Sequence, residues 1–324
     1  MRLGLTSRFA GPGLALLAFV LFSTHDVIVK LLGGSYSPVQ IVFFSVLLGL
    51  PIAMLLLMRD RTDGNLLPRY PGWTALRTGA AVLTGVSVFY AFSVLPMAQT
   101  YAILFATPLL ITVLSVPMLG ERVGWRRSAA VLVGLCGVLV VLRPGTAGAE
   151  LGLGHLAALL GALGGAIASI IVRKIGAEER NVVLLLYPMM ANLAVMGLAL
   201  PFVYRPMPLA DLGALAAMAA LALAASLAVI AAYKRAPAFQ VAPMQYSQMI
   251  WAILFGALIF GEGVDLFTIL GAAIIIASGV FIVVREETAN VSENRPVLET
   301  RTRTDTGTFP RVSGLQTLSS EAAD

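Results

Sequence analysis

Long apolar runs alternate along the chain with short segments that hold proline, glycine or charged residues. The hydrocarbon core of a bilayer is about 30 Å thick, so an α-helix that rises 1.5 Å per residue needs roughly 20 apolar residues to cross it. The pattern therefore predicts an all-α membrane protein with ten transmembrane helices. The predicted spans are 12–32, 38–58, 73–94, 97–119, 125–142, 152–173, 182–203, 211–233, 239–260 and 266–284.

The composition agrees with this assignment and excludes several classes of protein. Apolar residues make up 58% of the 324 positions and charged residues only 12%, whereas a soluble domain has roughly 45–50% and about 25%. The mean hydropathy is +0.89. A soluble enzyme, a disordered chain and a nucleic-acid-binding protein are excluded, and the lipid bilayer is the expected environment. One cysteine and two histidines predict no disulfide and no zinc site, and no cofactor is predicted.

The basic residues are distributed unevenly between the two sides of the predicted bundle. Cytoplasmic segments of membrane proteins carry an excess of Lys and Arg. If the N-terminus is cytoplasmic and each span crosses once, all of the 22 basic residues except Lys30, Arg143 and Arg205 fall in cytoplasmic segments. We therefore expect both termini in the cytoplasm and the ten helices in the cell (inner) membrane.

The two halves of the chain are related by an internal repeat. A shift of 141 residues places segment 96–123 on segment 237–264 without a gap. Five pairs are identical, namely Pro96/Pro237, Gln99/Gln240, Gly120/Gly261, Glu121/Glu262 and Val123/Val264. In both halves the matching segment is the fourth span and the corner that follows it. Each half then has five spans, and an odd number of crossings turns the second half upside down in the membrane.

The repeat divides the chain into three parts. A first five-helix repeat covers residues 1–146, and a second, inverted repeat covers residues 147–285. Residues 286–324 are polar and have no hydrophobic periodicity, which predicts a disordered cytoplasmic tail. Inverted repeats are a common architecture of secondary transporters, whose substrate sites lie near the middle of the membrane between the two halves.

The chain resembles the drug/metabolite transporter superfamily, EamA type, in the segment LPMAQTYAILFATPLLITVLSVPMLGERV and its repeat APAFQVAPMQYSQMIWAILFGALIFGEGV. The resemblance covers residues 12–285 and implies a ten-helix transporter of a small organic metabolite. The first span, FSTHDVIVKLL, is similar to a branch linked to uptake of metabolites that include riboflavin and S-adenosylmethionine. Riboflavin, S-adenosylmethionine, an amino acid or a related solute is therefore the expected substrate.

Two charged residues lie within the first span. Asp26 and Lys30 are four residues apart and share one face of the helix, whereas His25 is expected to point about 100° away from Asp26. Charges at membrane depth are costly and face a bundle interior or a wet cavity. Two interpretations remain open. The pair lines the transport path, where Asp26 binds a coupling proton or a cationic group and Lys30 an anionic one, or it is a structural ion pair.

Polar and aromatic residues recur in the fourth and ninth spans. Six of them are candidates for substrate binding, namely Gln99, Tyr101, Thr107, Gln245, Gln248 and Trp251. Amide side chains donate and accept hydrogen bonds, and aromatic faces stack on planar or cationic solutes. The set predicts a pocket for a neutral or zwitterionic organic solute, with Pro108 opening the helix backbone locally. The alternative is hydrogen bonding between helices.

The repeated glutamates Glu121 and Glu262 each follow a glycine at the end of a helix. With five spans in each half, Glu121 is expected at the cytoplasmic face and Glu262 at the outer face. Both positions are near interfacial water rather than at the middle of the membrane. We therefore expect these glutamates to anchor helix ends and loops rather than to bind substrate.

The leading functional prediction is a secondary transporter that moves a small organic solute by alternating access. The chain has no GxxxxGK[ST] sequence for ATP binding. A membrane-embedded lipid-modifying enzyme and a non-transporting membrane scaffold are the alternatives, although such enzymes usually hold clusters of carboxylates or histidines. The expected partners are the small-molecule substrate and the bilayer, without nucleic acid, and both a monomer and a homodimer remain open.

Overall fold

The computed structural model describes residues 3–58, 67–120, 124–143, 152–176, 178–235 and 241–288. Within these ranges the chain forms helices joined by short loops, and none of the described residues is in a β-strand. The helices in chain order are α1 (Leu3–Gly33), α2 (Pro38–Met58), α3 (Pro71–Val94), α4 (Met97–Leu104), α5 (Thr107–Leu119), α6 (Trp125–Leu142), α7 (Leu153–Ile175), α8 (Asn181–Val203), α9 (Leu209–Arg235), a 3-10 helix (Ala242–Ser247), α10 (Gln248–Phe260) and α11 (Leu266–Thr288).

The predicted all-α architecture with ten spans is confirmed. The helices α4 and α5 together form the fourth span, the 3-10 helix and α10 form the ninth, and each remaining helix is one span. Among the described residues, six helices are long and apolar enough to cross a membrane, and four further apolar helices are shorter. The four shorter ones complete the set of ten.

The helix ends differ from the predicted ones mainly at the two termini. The helix α1 begins before its predicted span, at Leu3, and α11 continues past its predicted span to Thr288. Residues 286–288 of the predicted tail are therefore helical, because a helix continues beyond its apolar part wherever its backbone hydrogen bonds persist. The rest of the predicted tail, the predicted boundary between the repeats at 146/147 and the side chain of Glu121 lie outside the described residues.

The two repeats pack against each other through helix pairs that obey an approximate two-fold relation. The helix α1 packs along α9, and α3 packs along α7. Exchanging the repeats, with α1 replacing α7 and α3 replacing α9, turns one pair into the other. The same exchange turns the pairs α2–α8 and α6–α11 into themselves. Because each half has five crossings, the two halves are inverted repeats.

Both repeats contain an interrupted helix at corresponding positions. The helices α5 and α10 begin at Thr107 and Gln248, 141 residues apart, and each ends before a glycine in the left-handed region. Gly120 has φ 71° and Gly261 has φ 64°, a conformation that glycine adopts without the steric cost of a Cβ atom. The interruption consists of Phe105 and Ala106 in the first repeat and of the 3-10 helix in the second.

Pro108 accounts for the interruption between α4 and α5. Proline has no N–H to donate to the carbonyl four residues earlier, which here belongs to Leu104. The hydroxyl of Thr107 donates to Leu104 O instead, at 2.7 Å. The N–H of Ala106 bonds to Ile103 O at 3.0 Å, which is a tighter turn than that of an α-helix. The predicted local opening of the backbone is confirmed.

Small residues allow the helices of the two repeats to approach each other closely. A Cβ atom added to Gly164 on α7 would lie 2.9 Å from the carbonyl oxygen of Ala80 on α3. A side chain cannot occupy that space, so the α3–α7 pair requires glycine at this position. Large apolar side chains such as those of Leu198 and Phe202 are instead exposed, as expected for a surface that faces lipid.

Candidate functional site

A cavity lies between the two repeats, next to the interrupted helices. Its lining comes from α1 to α5 of the first repeat and from α7 to α10, with the 3-10 helix, of the second repeat. The free space amounts to about 1250 Å³, including the part that is open to solvent. Because this space is lined by side chains of both repeats, it is the candidate site for a small molecule.

Asp26 places a carboxylate in the lining of this cavity. Only 4% of the residue is exposed. The hydroxyl of Tyr101 on α4 donates a hydrogen bond to one carboxylate oxygen, and His25 Nδ1 lies 2.8 Å from the other. A buried carboxylate loses its hydration and needs hydrogen bonds to compensate. Tyr101 and His25 provide this compensation from within the first repeat.

The placement of His25 differs from the expectation based on helical geometry. The residue was expected to point about 100° away from Asp26, but its imidazole turns back to the Asp26 carboxylate and lines the same cavity. The ring also meets the edge of Phe89 on α3, with 6.2 Å between the ring centroids. The contacts with Asp26 and Phe89 orient the side chain, so the angle between the two Cβ positions does not determine where the imidazole lies.

Aromatic rings form one wall of the cavity. The rings of Phe92 and Tyr101 meet edge to face with 5.3 Å between their centroids, and Tyr101 also contacts Phe105. Phe105 in turn meets Tyr246 edge to face, at 5.3 Å. Phe105 and Tyr246 are 141 residues apart and occupy the interruptions of the two equivalent helices. The two interrupted helices therefore contact each other beside the cavity.

The structure brings five of the eight predicted site residues to the cavity, namely Asp26, Tyr101, Thr107, Gln245 and Gln248. Lys30, Gln99 and Trp251 are not among the lining residues. Gln99 Nε2 lies 2.9 Å from His155 Nε2 on α7. The ring of Trp251 packs against Phe255 on its own helix, with 5.9 Å between the centroids.

Several polar lining residues lie outside the set that the sequence analysis selected: Ser45, Thr84, Asn192 and Ser226. The feature that could have identified them is a polar residue in a predominantly apolar helix. That feature is not specific, because similar residues serve their own helices. The hydroxyls of Thr100 and Thr112, for example, donate to backbone carbonyls four residues earlier.

Lys30 and Glu262 close one end of the bundle, which we call the Glu262 end. Lys30 Nζ lies 2.8 Å from Glu262 Oε1, and it donates to the carbonyl oxygen of Leu95 at 2.5 Å. The other carboxylate oxygen of Glu262 accepts the N–H of Met97, the first residue of α4, at 2.9 Å. The pair is mostly buried, with side-chain exposures of 11% and 17%. These contacts join the second repeat to two helices of the first.

Glu179 closes the opposite end of the bundle, which we call the Glu179 end. The residue precedes α8 and is 5% exposed. Its carboxylate accepts the backbone N–H groups of Arg69 and Tyr70, just before α3, at 2.7 and 3.0 Å. The Tyr70 hydroxyl donates to the neighbouring Glu178 carboxylate, and this hydrogen bond raises the pKa of Tyr70. No local feature of the sequence identifies Glu179, because the segment resembles an ordinary charged loop.

Two inverted five-helix repeats that enclose a polar and aromatic cavity are the architecture of membrane transporters. The chain is accordingly a multi-pass membrane protein of the transporter class. Residues 9–143 and 152–284 match the EamA-like transporter family. The chain belongs to this family, as its resemblance implied, and it transports a small metabolite across a membrane.

Individual relatives fall in the same class. The S-adenosylmethionine uptake transporter of Rickettsia prowazekii is 26% identical over 294 residues, which cover 86% of this chain and 94% of that protein. The pseudopaline exporter CntI of Pseudomonas aeruginosa is 26% identical over 271 residues, which cover 83% of this chain and 94% of that protein. A solved crystal structure has a TM-score of 0.59 and 20% identity over 87% of this chain and 100% of that one, which shows the shared fold.

Proposed function

We propose that the chain carries a cationic or zwitterionic organic metabolite across the inner membrane by alternating access, and that it is a carrier rather than an enzyme. The observation that carries this proposal is the buried Asp26 carboxylate in a cavity shared by both repeats. Charges are screened weakly in such an environment. A carboxylate there attracts a positively charged group of a solute far more strongly than one at a protein surface.

The charges around the cavity support a cationic group on the solute. Among the described lining residues, Asp26 is the only carboxylate and His25 the only basic side chain. Lys30, four residues after Asp26 on α1, is engaged with Glu262 at the end of the bundle. A positive group of a solute would add an attractive contact to the Asp26 carboxylate beside those of Tyr101 and His25, and the aromatic wall of the cavity also favours cations.

S-adenosylmethionine is the first solute to test. Its sulfonium and ammonium groups are positively charged, and its carboxylate makes the amino-acid part zwitterionic. The Rickettsia relative that is named for uptake of this compound aligns with 86% of this chain. The charges of this compound therefore agree with the lining of the cavity. The compound itself is suggested by the name of a relative that aligns over nearly the full length of the chain.

The two ends of the bundle supply the gates that alternating access requires. In this mechanism the repeats move against each other, so that the central site opens to one side at a time. The Lys30–Glu262 pair and the hydrogen bonds of Glu179 each join one repeat to the other. We propose that the contacts at one end break while those at the other end persist, and that the solute leaves through the end that has opened.

The distribution of Lys and Arg supports an orientation for this cycle. The loops that precede α3 and α8 belong to the basic side of the bundle, which is the cytoplasmic side in most membrane proteins. We therefore place the Glu179 end and both chain termini in the cytoplasm and the Glu262 end outside.

The test is uptake of radiolabelled S-adenosylmethionine into proteoliposomes that contain the purified full chain. We expect Asp26→Asn to reduce uptake at least about 100-fold, because it removes the charge that pairs with the solute. Asp265→Asn is the matched control. Asp265 lies outside the cavity lining before α11, and asparagine caps a helix as well as aspartate does.

Two outcomes would contradict the proposal. Wild-type protein that moves neither S-adenosylmethionine nor any member of a panel of small organic cations is not a carrier of this class. Uptake by Asp26→Asn at the rate of the Asp265→Asn control would mean that the carboxylate does not bind the solute. Thermal unfolding of both variants in detergent verifies that each is folded.

A further inference from the structure

Asn192 and Gln248 each carry a polar atom that pairs with none of the residues the structure describes. Both residues line the cavity and are almost fully buried, with 2% and 1% exposed. Asn192 lies on α8 and Gln248 at the start of α10, so the two belong to different walls. Within the described part of the chain, Asn192 Oδ1 accepts no hydrogen bond and Gln248 Nε2 donates none.

The hydrogen bonds of α8 determine which atom of the Asn192 amide remains available. Asn192 Nδ2 donates to the carbonyl oxygen of Pro188 at 2.9 Å. Only the NH₂ half of an amide can donate this bond, so Oδ1 is the acceptor that remains. A Cβ atom added to Gly85, another lining residue, would lie 3.5 Å from Oδ1. Gly85 adds no side chain beside this oxygen, which is itself buried.

A buried acceptor and a buried donor cost free energy until a bound molecule pairs with them. A solute that enters the cavity lies beside both residues. It offsets this cost if it offers a donor to Asn192 Oδ1 and an acceptor to Gln248 Nε2. Simple cations such as tetramethylammonium and protonated polyamines have no acceptor for Gln248, so they leave its NH₂ group unpaired.

The aromatic wall indicates the shape of the group that carries this donor and acceptor. Phe92, Tyr101 and Phe105 line the cavity and contact one another in sequence. Aromatic rings interact favourably with planar rings in stacked or edge-to-face geometry. A planar group can lie against this wall, while the Asp26 carboxylate in the same cavity meets the charged part of the solute.

We propose that Asn192 and Gln248 bind a planar nitrogen heterocycle of the transported solute. An exocyclic N–H of the heterocycle donates to Asn192 Oδ1, and a ring nitrogen or carbonyl oxygen accepts from Gln248 Nε2. This inference rests on the proposed function and narrows its substrate class. The solute is a cation joined to a nucleobase-like ring, and Asn192 and Gln248 determine specificity for the ring rather than for the charge.

The test compares two sulfonium amino acids, S-adenosylmethionine and S-methylmethionine. Both carry the same charged groups, but only the first carries a nucleobase. Binding of each compound to the purified full chain in detergent is measured by calorimetry for the wild type, Asn192→Leu and Gln248→Met. The two substitutions keep the size of the side chain and remove its hydrogen bonds to the ring. Ser115→Ala is the control, because Ser115 bonds to Thr112 O on its own helix and lies outside the cavity lining.

We expect each cavity variant to weaken S-adenosylmethionine binding on the order of 10- to 100-fold. Binding of S-methylmethionine should change by less than about twofold, and the control should change neither. Equal weakening of both compounds would indicate a role in cavity shape alone and overturn the inference. Unchanged binding of both would mean that water satisfies the two atoms, which also overturns it.

Failure of the proposed function gives a different result. In that case the wild-type chain binds neither sulfonium compound and transports no member of the cation panel, and both proposals fall together. A chain that binds neither sulfonium compound but transports another cation of the panel overturns the inference alone. Thermal unfolding of each variant is measured alongside binding. Asn192→Ala and Gln248→Ala replace the larger substitutions if either of those fails to fold.

Discussion

The Glu262 end and the Glu179 end of the bundle are closed by the same type of residue with different partners. At the Glu262 end the carboxylate pairs with the Lys30 ammonium and also accepts the N–H of Met97. At the Glu179 end, every described partner of the carboxylate is a backbone N–H, and two of these groups precede α3. The N-terminus of a helix carries a partial positive charge, which replaces the cation found at the other end.

The two kinds of contact respond differently to mutation. An ion pair has two side chains, and deleting either of them leaves a buried charge without a counter-charge. Backbone N–H groups remain whatever side chains are substituted, so only the glutamate itself can be removed from the Glu179 end. We therefore expect the Glu262 end to be the more sensitive to substitution.

The largest effect is expected for Glu262→Gln. The substitution leaves the Lys30 ammonium in a site where only 11% of its side chain is exposed. Removing one partner of a buried ion pair costs roughly 3–5 kcal/mol. Because the Lys30 side chain is still partly exposed, we expect the free energy of unfolding to fall by about 3 kcal/mol. The measurement is the free energy of unfolding of the purified chain in mixed detergent micelles.

A second substitution distinguishes loss of charge balance from loss of packing. The double variant Lys30→Met/Glu262→Gln removes both charges and should recover most of the lost stability. If the double variant is as unstable as Glu262→Gln alone, the ammonium is not the source of the loss. The distinction between the two ends would then be wrong.

A smaller effect is expected for Glu179→Gln. The amide oxygen of glutamine can still accept the N–H of Arg69 or Tyr70, so the loss is limited to the charged part of these hydrogen bonds. We expect about 1–2 kcal/mol in the free energy of unfolding. Labelling by a thiol reagent of a cysteine placed at Thr74, a buried residue in the first turn of α3, should become faster, because the Glu179 end opens more often.

The labelling experiment needs a background without the native cysteine, since Cys136 is exposed. Cys136→Ser supplies it. The same Thr74→Cys substitution combined with Glu262→Gln is the comparison, and it should be labelled no faster than Thr74→Cys alone. Faster labelling in both combinations would show that the two ends do not open separately.

The smallest effect concerns a third contact between the repeats, the Arg143–Asp265 pair at 2.6 Å. Although burial raises the pKa of Asp265, hydrogen bonds from Thr268 and the nearby Arg143 hold it below its usual value. A carboxylate with a lowered pKa in the folded state contributes stability above its unfolded pKa of about 4, and this contribution is lost as the pH falls through the folded pKa. Because 43% of the Asp265 side chain is exposed, solvent screens most of the effect.

This contribution is measured by thermal unfolding between roughly pH 6 and pH 3, a range that includes the ordinary carboxyl pKa. The decrease in Tm towards low pH should be smaller in Asp265→Asn than in the wild type, by on the order of 1 °C. Identical decreases in the two proteins would mean that the Arg143–Asp265 pair does not contribute to stability at neutral pH.

The sequence was sufficient for the spans and insufficient for the contacts that close the two ends. A span must contain about 20 apolar residues, and this requirement is local. The interruption near Pro108 is local too, because it follows from one missing N–H. The partner of Lys30 is not local. Spacing along the first span suggested Asp26, but the structure places Glu262 of the other repeat against the ammonium.

The candidate site divides in the same way. Asp26, Tyr101 and Gln248 could be selected because a charge, an aromatic hydroxyl or an amide within an apolar span is conspicuous. Glu262 was expected only as an anchor at a helix end, and its N–H does bond to Gly256 O at 2.9 Å. That its side chain also reaches α4 depends on how the repeats pack, which periodicity does not describe. Glu179 lies in a loop with both signs of charge, where no local feature separates it from a solvated residue.

The pairing of α1 with α9 and of α3 with α7 has a consequence for how the protein is made. While the ribosome is still synthesising α7, the helix α1 has already entered the membrane, yet its packing partner does not exist until Arg235 at the end of α9 has been added. Until then, the faces of α1 and α3 that pack on the second repeat have no complete partner. A nascent chain arrested before α9 should be recognised by membrane quality control as incompletely folded. Likewise, two fragments produced by cutting between residues 143 and 152 should accumulate in cells only when they are expressed together.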